Sequence, residues 1–224
     1  MRTKEQIDGI LAALEREYPM ADCTLTERDA WRLLVQVRLA AQCTDARVNL
    51  VTPALFARFP TVEAMAAADI GEVEELIRSC GFYHGKARDL VWQAQRITEV
   101  YGGKVPDNMD DLLTLPGVGR KSANLILGDV FRQPGAVVVD THCIRLSNRL
   151  CLVDNDKDPV RIEKALRAVL PPEKSNDFCH RLVLHGRAVC TARKPLCDIC
   201  CCAAYCKTSV SYTHLRAHET VLDL

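Results

Sequence analysis

No stretch of this 224-residue chain approaches eighteen consecutive apolar residues, so it offers no membrane-spanning helix. Its start, MRTKEQIDGI, has no apolar core of the kind that directs secretion. Both absences predict a soluble, intracellular protein, cytoplasmic and without a membrane partner. Strand-forming runs are missing too. The one strand-like run, Ala136 to Val139, is too short and solitary to make a sheet, which leaves an all-helical fold. Net charge is also absent: 29 basic and 29 acidic residues cancel, and bulk charge alone argues against a nucleic-acid partner. The length is enough to bury a core in one large domain or two small ones.

What the chain does have is cysteine, twelve in all. In a reducing compartment Cys23, Cys43, Cys80, Cys143, Cys151 and Cys179 read as small buried apolar residues, with no disulfide required. Cys190, Cys197, Cys200 and Cys206 differ, because they fall as C-x6-C-x2-C-x5-C within 17 residues. Four converging thiolates suit zinc or iron. Zinc sites usually pair two C-x2-4-C knuckles, which the six-residue gap does not match, whereas a larger iron-sulfur cluster can be wrapped by wider loops. Cys201 and Cys202 could replace Cys200 and are read as packing around the site.

Helical signals fill the rest. Thr3 and Gln6 form a capping-box pattern ahead of Ile7, Ile10, Leu11 and Leu14, which share one helical face. Further helices are expected at about 27–41, 45–58, 61–67, 71–79, 86–101, 108–114, 120–131, 141–150, 159–169 and 175–189. Asp158-Pro159 is a strong start signal, and Pro53 is expected to kink or shorten its helix. From Ser209 onward the composition changes, and 208–224 reads as a non-native or disordered tail, with His214 and His218 set aside as ligands.

Charge is unevenly placed. Residues 115–128, 141–153 and 180–197 carry Arg120, Lys121, Arg145, Arg149, Arg181, Arg187, Arg193 and Lys194 with no acid, while acids concentrate at 63–75 and 107–111. Such segregation predicts one basic face on a neutral molecule. Within the basic stretches, Leu115-Pro116-Gly117-Val118-Gly119-Arg120-Lys121 links two expected helices. Its glycines permit a tight hairpin and a close backbone approach, and the free N–H groups opening the next helix form an anion site suited to a DNA phosphate. An ordinary interhelical turn is the plainer reading.

Lys121 falls in the first turn of that helix, where the helix dipole disfavours a cation and partial burial would favour the neutral amine. Such an amine can attack a sugar carbon and form a Schiff base; a solvated lysine on a phosphate is the alternative. Nineteen residues later Asp140 follows Val137-Val138-Val139 at the expected start of the next helix. A capping aspartate and a carboxylate that stabilises positive charge on a sugar are compatible readings.

Taken together, LPGVGRKSAN, VDTHCIRLSNRL, LHGRAVCTARKPLCDIC, the cysteine spacing, LAAQCTD at 39–45 and GFYHGKA at 81–87 resemble the bacterial endonuclease III family of helix-hairpin-helix DNA glycosylases. The resemblance spans essentially residues 1–207. It implies a six-helix barrel with the helix-hairpin-helix at 23–134 and a helical [4Fe-4S] cluster domain from 1–22 with 135–207, with the DNA cleft between them. It implies double-stranded DNA carrying an oxidised pyrimidine or abasic site as partner, and a monomeric base-excision-repair enzyme. Lys121 then matches the nucleophile, Asp140 the catalytic carboxylate, and Cys190, Cys197, Cys200 and Cys206 the cluster ligands. Gln42 would fill the space of a flipped base and Phe82, often leucine in the family, would wedge against the opposite strand. Leu115, Gly117, Gly119 and Arg120 of the hairpin, His142, and Arg193 with Lys194 would contact DNA; His185 reads as packing beneath the cysteine loop. A monofunctional glycosylase of the same superfamily, a noncatalytic cluster protein that binds DNA and senses redox state, and a zinc-structured module are the alternatives.

Overall fold

The computed structural model describes residues 2–209, and within them every regular element is a helix. None is long and apolar enough to cross a membrane. Internal contacts divide the chain into two compact units, residues 23–133 and residues 2–22 with 134–209.

The first unit contains α2 (Ala30–Leu39), α3 (Asp45–Arg58), α4 (Val62–Ala66), α5 (Ile70–Ile77), α6 (Tyr83–Tyr101), α7 (Met109–Leu112) and α8 (Arg120–Asp129). Short polar caps set the starts of five of them: side chains of Asp29, Thr44, Thr61, Asp69 and Asn108 each accept a first-turn N–H. Each such cap stabilises its helix by about 1 kcal/mol. α6 packs against α4, α5 and α2, and α2 packs against α3 and α8, enclosing Leu33, Leu34, Leu39, Leu55, Met65, Ile77, Leu90, Ile97 and Ile126.

The second unit contains α1 (Lys4–Glu17), which precedes α2, then α9 (Thr141–Arg149), α10 (Pro159–Val169) and α11 (Ser175–Ala188). α11 packs against both α1 and α9 over a core that includes Ile10, Leu14, Cys143, Leu146, Phe178 and Leu182. Thr3 and Gln6 make both halves of the expected capping box, and Pro159 opens α10 behind its Asp158 cap. Ala136–Val139 is buried but forms no strand.

Several expectations need correction. α3 is not shortened at Pro53, which lies exposed within it. α6 begins at Tyr83 rather than 86, because Gly81 (φ 68°) and Phe82 (φ 48°) complete the turn at once. Cys80, Cys143 and Cys179 are buried as expected, but Cys23, Cys43 and Cys151 are only half-buried. Ser209 is buried, so packing reaches past residue 207, and the remainder of the expected tail, with His214 and His218, lies outside the described residues.

Candidate active site and cysteine cluster

The hairpin between α7 and α8 closes through Val118 N–H donating to the Leu115 carbonyl at 3.1 Å. Leu115 is 2% exposed, so its side chain anchors the hairpin in the core and cannot reach a ligand outside. Gly117 has φ 70°, and a Cβ there would come within 2.5 Å of Asp89 Oδ2 and 2.6 Å of Arg38 Nε. The positive φ of the expected tight hairpin and these two side chains together therefore require glycine here. Arg38 and Asp89 are themselves paired at 2.6 Å, and the buried Gln93 donates to the Pro116 carbonyl. Arg38 comes from α2 and Asp89 and Gln93 from α6, none of which the sequence reading singled out. A 3.6-residue period places Asp89 and Gln93 on one face of α6, the only signal that could have found them.

Gly119 is extended (φ −105°, ψ 175°) and caps α8 without a side chain. A Cβ on it would meet nothing within 4 Å, so the space before the helix is open. Arg120 is half-buried in the first turn, and Lys121 beside it is exposed. The partial burial expected of Lys121 is absent.

Gln42 and Phe82 line one hollow of about 560 Å³ together with Arg38, Tyr83 and His84. Both residues hold left-handed backbones, at φ 55° and 48°, and Phe82 is 73% exposed. Lys86 fixes the two loops to each other. It is 1% exposed, and its Nζ donates to the carbonyls of Leu39 at 2.8 Å and Cys80 at 2.9 Å. Burial pushes its ammonium pKa down, partly offset by the thiols of Cys43 and Cys80. A larger hollow, about 990 Å³, is lined by Glu27, Asp29, Glu63, Asp107 and Asp111 and holds none of the expected site residues.

In the other unit Asp140 caps α9, its Oδ1 accepting from Cys143 N at 2.7 Å. The buried apolar run before it and this cap together fix the carboxylate at the head of the helix. His142 Nδ1 meets Arg145 Nη2 at 3.0 Å, and Arg145 donates in turn to the carbonyls of Gly186 and Cys190. One turn on, Arg149 donates to the carbonyls of Thr191 and Ala192 and to the sulfur of Cys190 at 3.2 Å. Its own carbonyl accepts from Cys206 Sγ at 3.4 Å. α9 thus carries Asp140 at its head and grips the cysteine segment along its length.

The four expected ligands sit on a chain with only two short 3-10 turns, Cys197–Ile199 and Ala203–Tyr205. Thr191 and Lys194 bond to each other across the first loop, leaving Arg193 and Lys194 exposed. Burial pushes the Cys200 thiol up to about 11, and Cys201, Cys190 and Cys206 push the same way. Burial also raises Cys197, with Cys206 and Cys190 adding to it. Among the described residues no three His, Cys, Asp or Glu side chains gather closely enough for a single ion. The four thiols nonetheless lie within electrostatic reach, and such crowding resists ionisation unless cationic metal offsets it. Polar groups already lie against two sulfurs: Arg149 donates to Cys190 Sγ, and His185 Nε2 lies 3.3 Å from Cys200 Sγ. The donor set therefore fits an iron-sulfur group. Cys201 and Cys202 meet each other at 3.8 Å, with Cys202 buried.

Residues 35–172 match the family described as HhH-GPD superfamily base excision DNA repair protein. Endonuclease III of Synechocystis sp. is 46% identical over 92% of this chain and 94% of its own length; that of Escherichia coli is 36% identical over 88% and 93%. Among solved structures, a non-covalent endonuclease III–DNA complex superposes with a TM-score of 0.89 at 37% identity, covering 96% of this chain and 100% of that one. A trapped endonuclease III–DNA covalent intermediate gives 0.88 at 38% identity over 95% and 100%. The chain belongs to the endonuclease III family of this base-excision-repair superfamily.

Proposed function

We propose that this chain is a bifunctional DNA glycosylase and AP lyase that removes oxidised pyrimidines from duplex DNA through Lys121. The observation that carries the reading is the start of α8: no side chain caps it, the space before Gly119 is open, and Lys121 stands exposed in its first turn. A phosphate seated on those first-turn N–H groups would bring a sugar within reach of the amine. The covalent endonuclease III–DNA intermediate among the similar structures supports a covalent route here as well.

In this reading Lys121 gives up a proton, its nitrogen bonds to C1′ and the glycosidic bond breaks, the electron pair leaving with the base, which takes up a proton. The amine loses its protons as the sugar ring opens to a Schiff base. Loss of a C2′ proton then expels the 3′ phosphate and cuts the strand. Asp140, held ready by its cap, stabilises positive charge developing on the sugar and moves protons.

Gln42 and Phe82, sharing one hollow, suit the filling of a flipped base's place and the wedging of the opposite strand. Gly117, Gly119 and Arg120 would hold the backbone, with Arg193, Lys194 and His142 adding contacts and Leu115 anchoring the hairpin. We assign Cys190, Cys197, Cys200 and Cys206 as ligands of a [4Fe-4S] cluster. When bound it clamps the loop that presents Arg193 and Lys194 and tunes DNA affinity.

The test is to incubate the protein with a labelled duplex bearing one thymine glycol, add borohydride, and resolve covalent adducts. Trapping that vanishes in Lys121→Ala, with duplex binding retained, is the expected result. Tight binding without trapping in the unaltered protein would instead indicate a monofunctional glycosylase or a noncatalytic cluster protein.

A further inference from the structure

We infer that Tyr18 and His185 form a hydrogen-bond relay onto the sulfur of Cys200 that raises the reduction potential of the cluster, an inference that rests on the proposed cluster. His185, on α11, is 2% exposed. Its Nε2 lies 3.3 Å from Cys200 Sγ and its Nδ1 3.2 Å from the Tyr18 hydroxyl. The two rings meet edge to face, with centroids 5.8 Å apart and planes at 72°.

Ligation determines the direction of both bonds. A free Cys200 thiol could donate its proton to His185, but a metal-bound thiolate has none to give. The proton in the nitrogen–sulfur contact must then belong to Nε2. A neutral imidazole so protonated presents a bare Nδ1, which can only accept, so the Tyr18 hydroxyl must be the donor. Tyr18 is suited to that: burial raises its pKa to about 12, with Cys201 adding to the effect, and keeps the proton on oxygen.

Tyr18 is also held in place. It caps the end of α1, and its carbonyl accepts from Arg181 Nε at 3.1 Å, one turn before His185 on α11. His185 reaches a second ligand by its backbone, its carbonyl accepting the N–H of Cys190 at 2.8 Å. A donor aimed at a cluster sulfur withdraws electron density and favours the more negative, reduced state. Polarised by Tyr18, the imidazole N–H becomes a stronger donor for that purpose.

A merely structural histidine beneath the loop would affect stability and iron content but not potential. The holoprotein is therefore compared with His185→Phe, His185→Gln and Tyr18→Phe by protein-film voltammetry, with iron and sulfide determined on each sample. At full iron content, His185→Phe should lower the potential most and Tyr18→Phe less, while His185→Gln, which keeps an N–H donor, should stay nearer the unaltered protein. Potentials unchanged in both phenylalanine variants would overturn the relay. Should His185→Phe lose its iron, Tyr18→Phe decides alone, because it deletes one hydroxyl and keeps the ring. Unaltered protein that lacks iron, sulfide and visible absorbance would sink the cluster assignment itself, a failure distinct from that of the relay.

Discussion

The hairpin at Leu115–Gly119 lies between two helices and is held by a buried leucine, a glutamine and one ion pair, whereas Cys190–Cys206 has only two 3-10 turns of its own. That second region is shaped by long side chains reaching across from α9 and α11. The hairpin turns on a positive φ with side chains packed close against it, so its position most sensitive for stability is Gly117. The cysteine segment is set by side chains that contact its carbonyls and sulfurs, so its sensitive positions are arginines and a histidine.

The largest effect should come from a residue that shapes neither region. Lys121→Ala should cost strand cleavage on the order of 10⁴-fold or more in single-turnover assays, with little change in thermal stability. Arg149→Ala should come next. It strips donors from two carbonyls and the Cys190 sulfur, and at ~1–3 kcal/mol per group left unpaired, thermal unfolding should show clear destabilisation and earlier loss of iron.

The two hairpin glycines should then separate. Gly117→Ala places a Cβ against Asp89 and Arg38 at φ 70° and should cost about 1–3 kcal/mol in urea unfolding. Gly119→Ala meets open space at an ordinary φ and should leave stability within ~0.5 kcal/mol, so any loss must appear in duplex affinity. Equal destabilisation by both would contradict the roles given to them.

The smallest effect is a slope. Lys86 has its ammonium pKa lowered by burial, so below 10.5 the unfolded chain binds the more protons. Its penalty is full below the folded value and relieved as pH rises toward 10.5. Lys86→Met should remove that upward contribution to stability between neutral and alkaline pH, read from urea midpoints across the range.

How much of this was legible depends on how local each cause is. Caps such as Asp140 and Thr3 and the proline at the start of α10 act within four residues, and the pattern alone places them. The start of α6 was missed because Gly85 weakens the helical signal just where the turn at Gly81 and Phe82 launches it. Arg38, Asp89 and Lys86 were missed for another reason, and Arg149 was read only as part of a basic face. Each is an ordinary charged residue on a helix, and its partner lies from 6 to 51 residues away along the chain. Gln42 and Phe82 were named through resemblance and Lys121 already from its place behind the hairpin, while the surroundings of all three emerged only from the fold.

The second unit is built from both flanks of the first, with α1 packed on α11. During synthesis α1 leaves the ribosome long before α11 exists. At about 5–20 residues per second, the apolar face of Ile7, Ile10, Leu11 and Leu14 waits roughly ten to thirty seconds for its partner. The intervening helical unit can fold in that interval, so the nascent chain passes through a stage in which its first helix is a sticky, unpaired leader. Shielding that apolar face until α11 emerges is therefore a condition for the second unit to form.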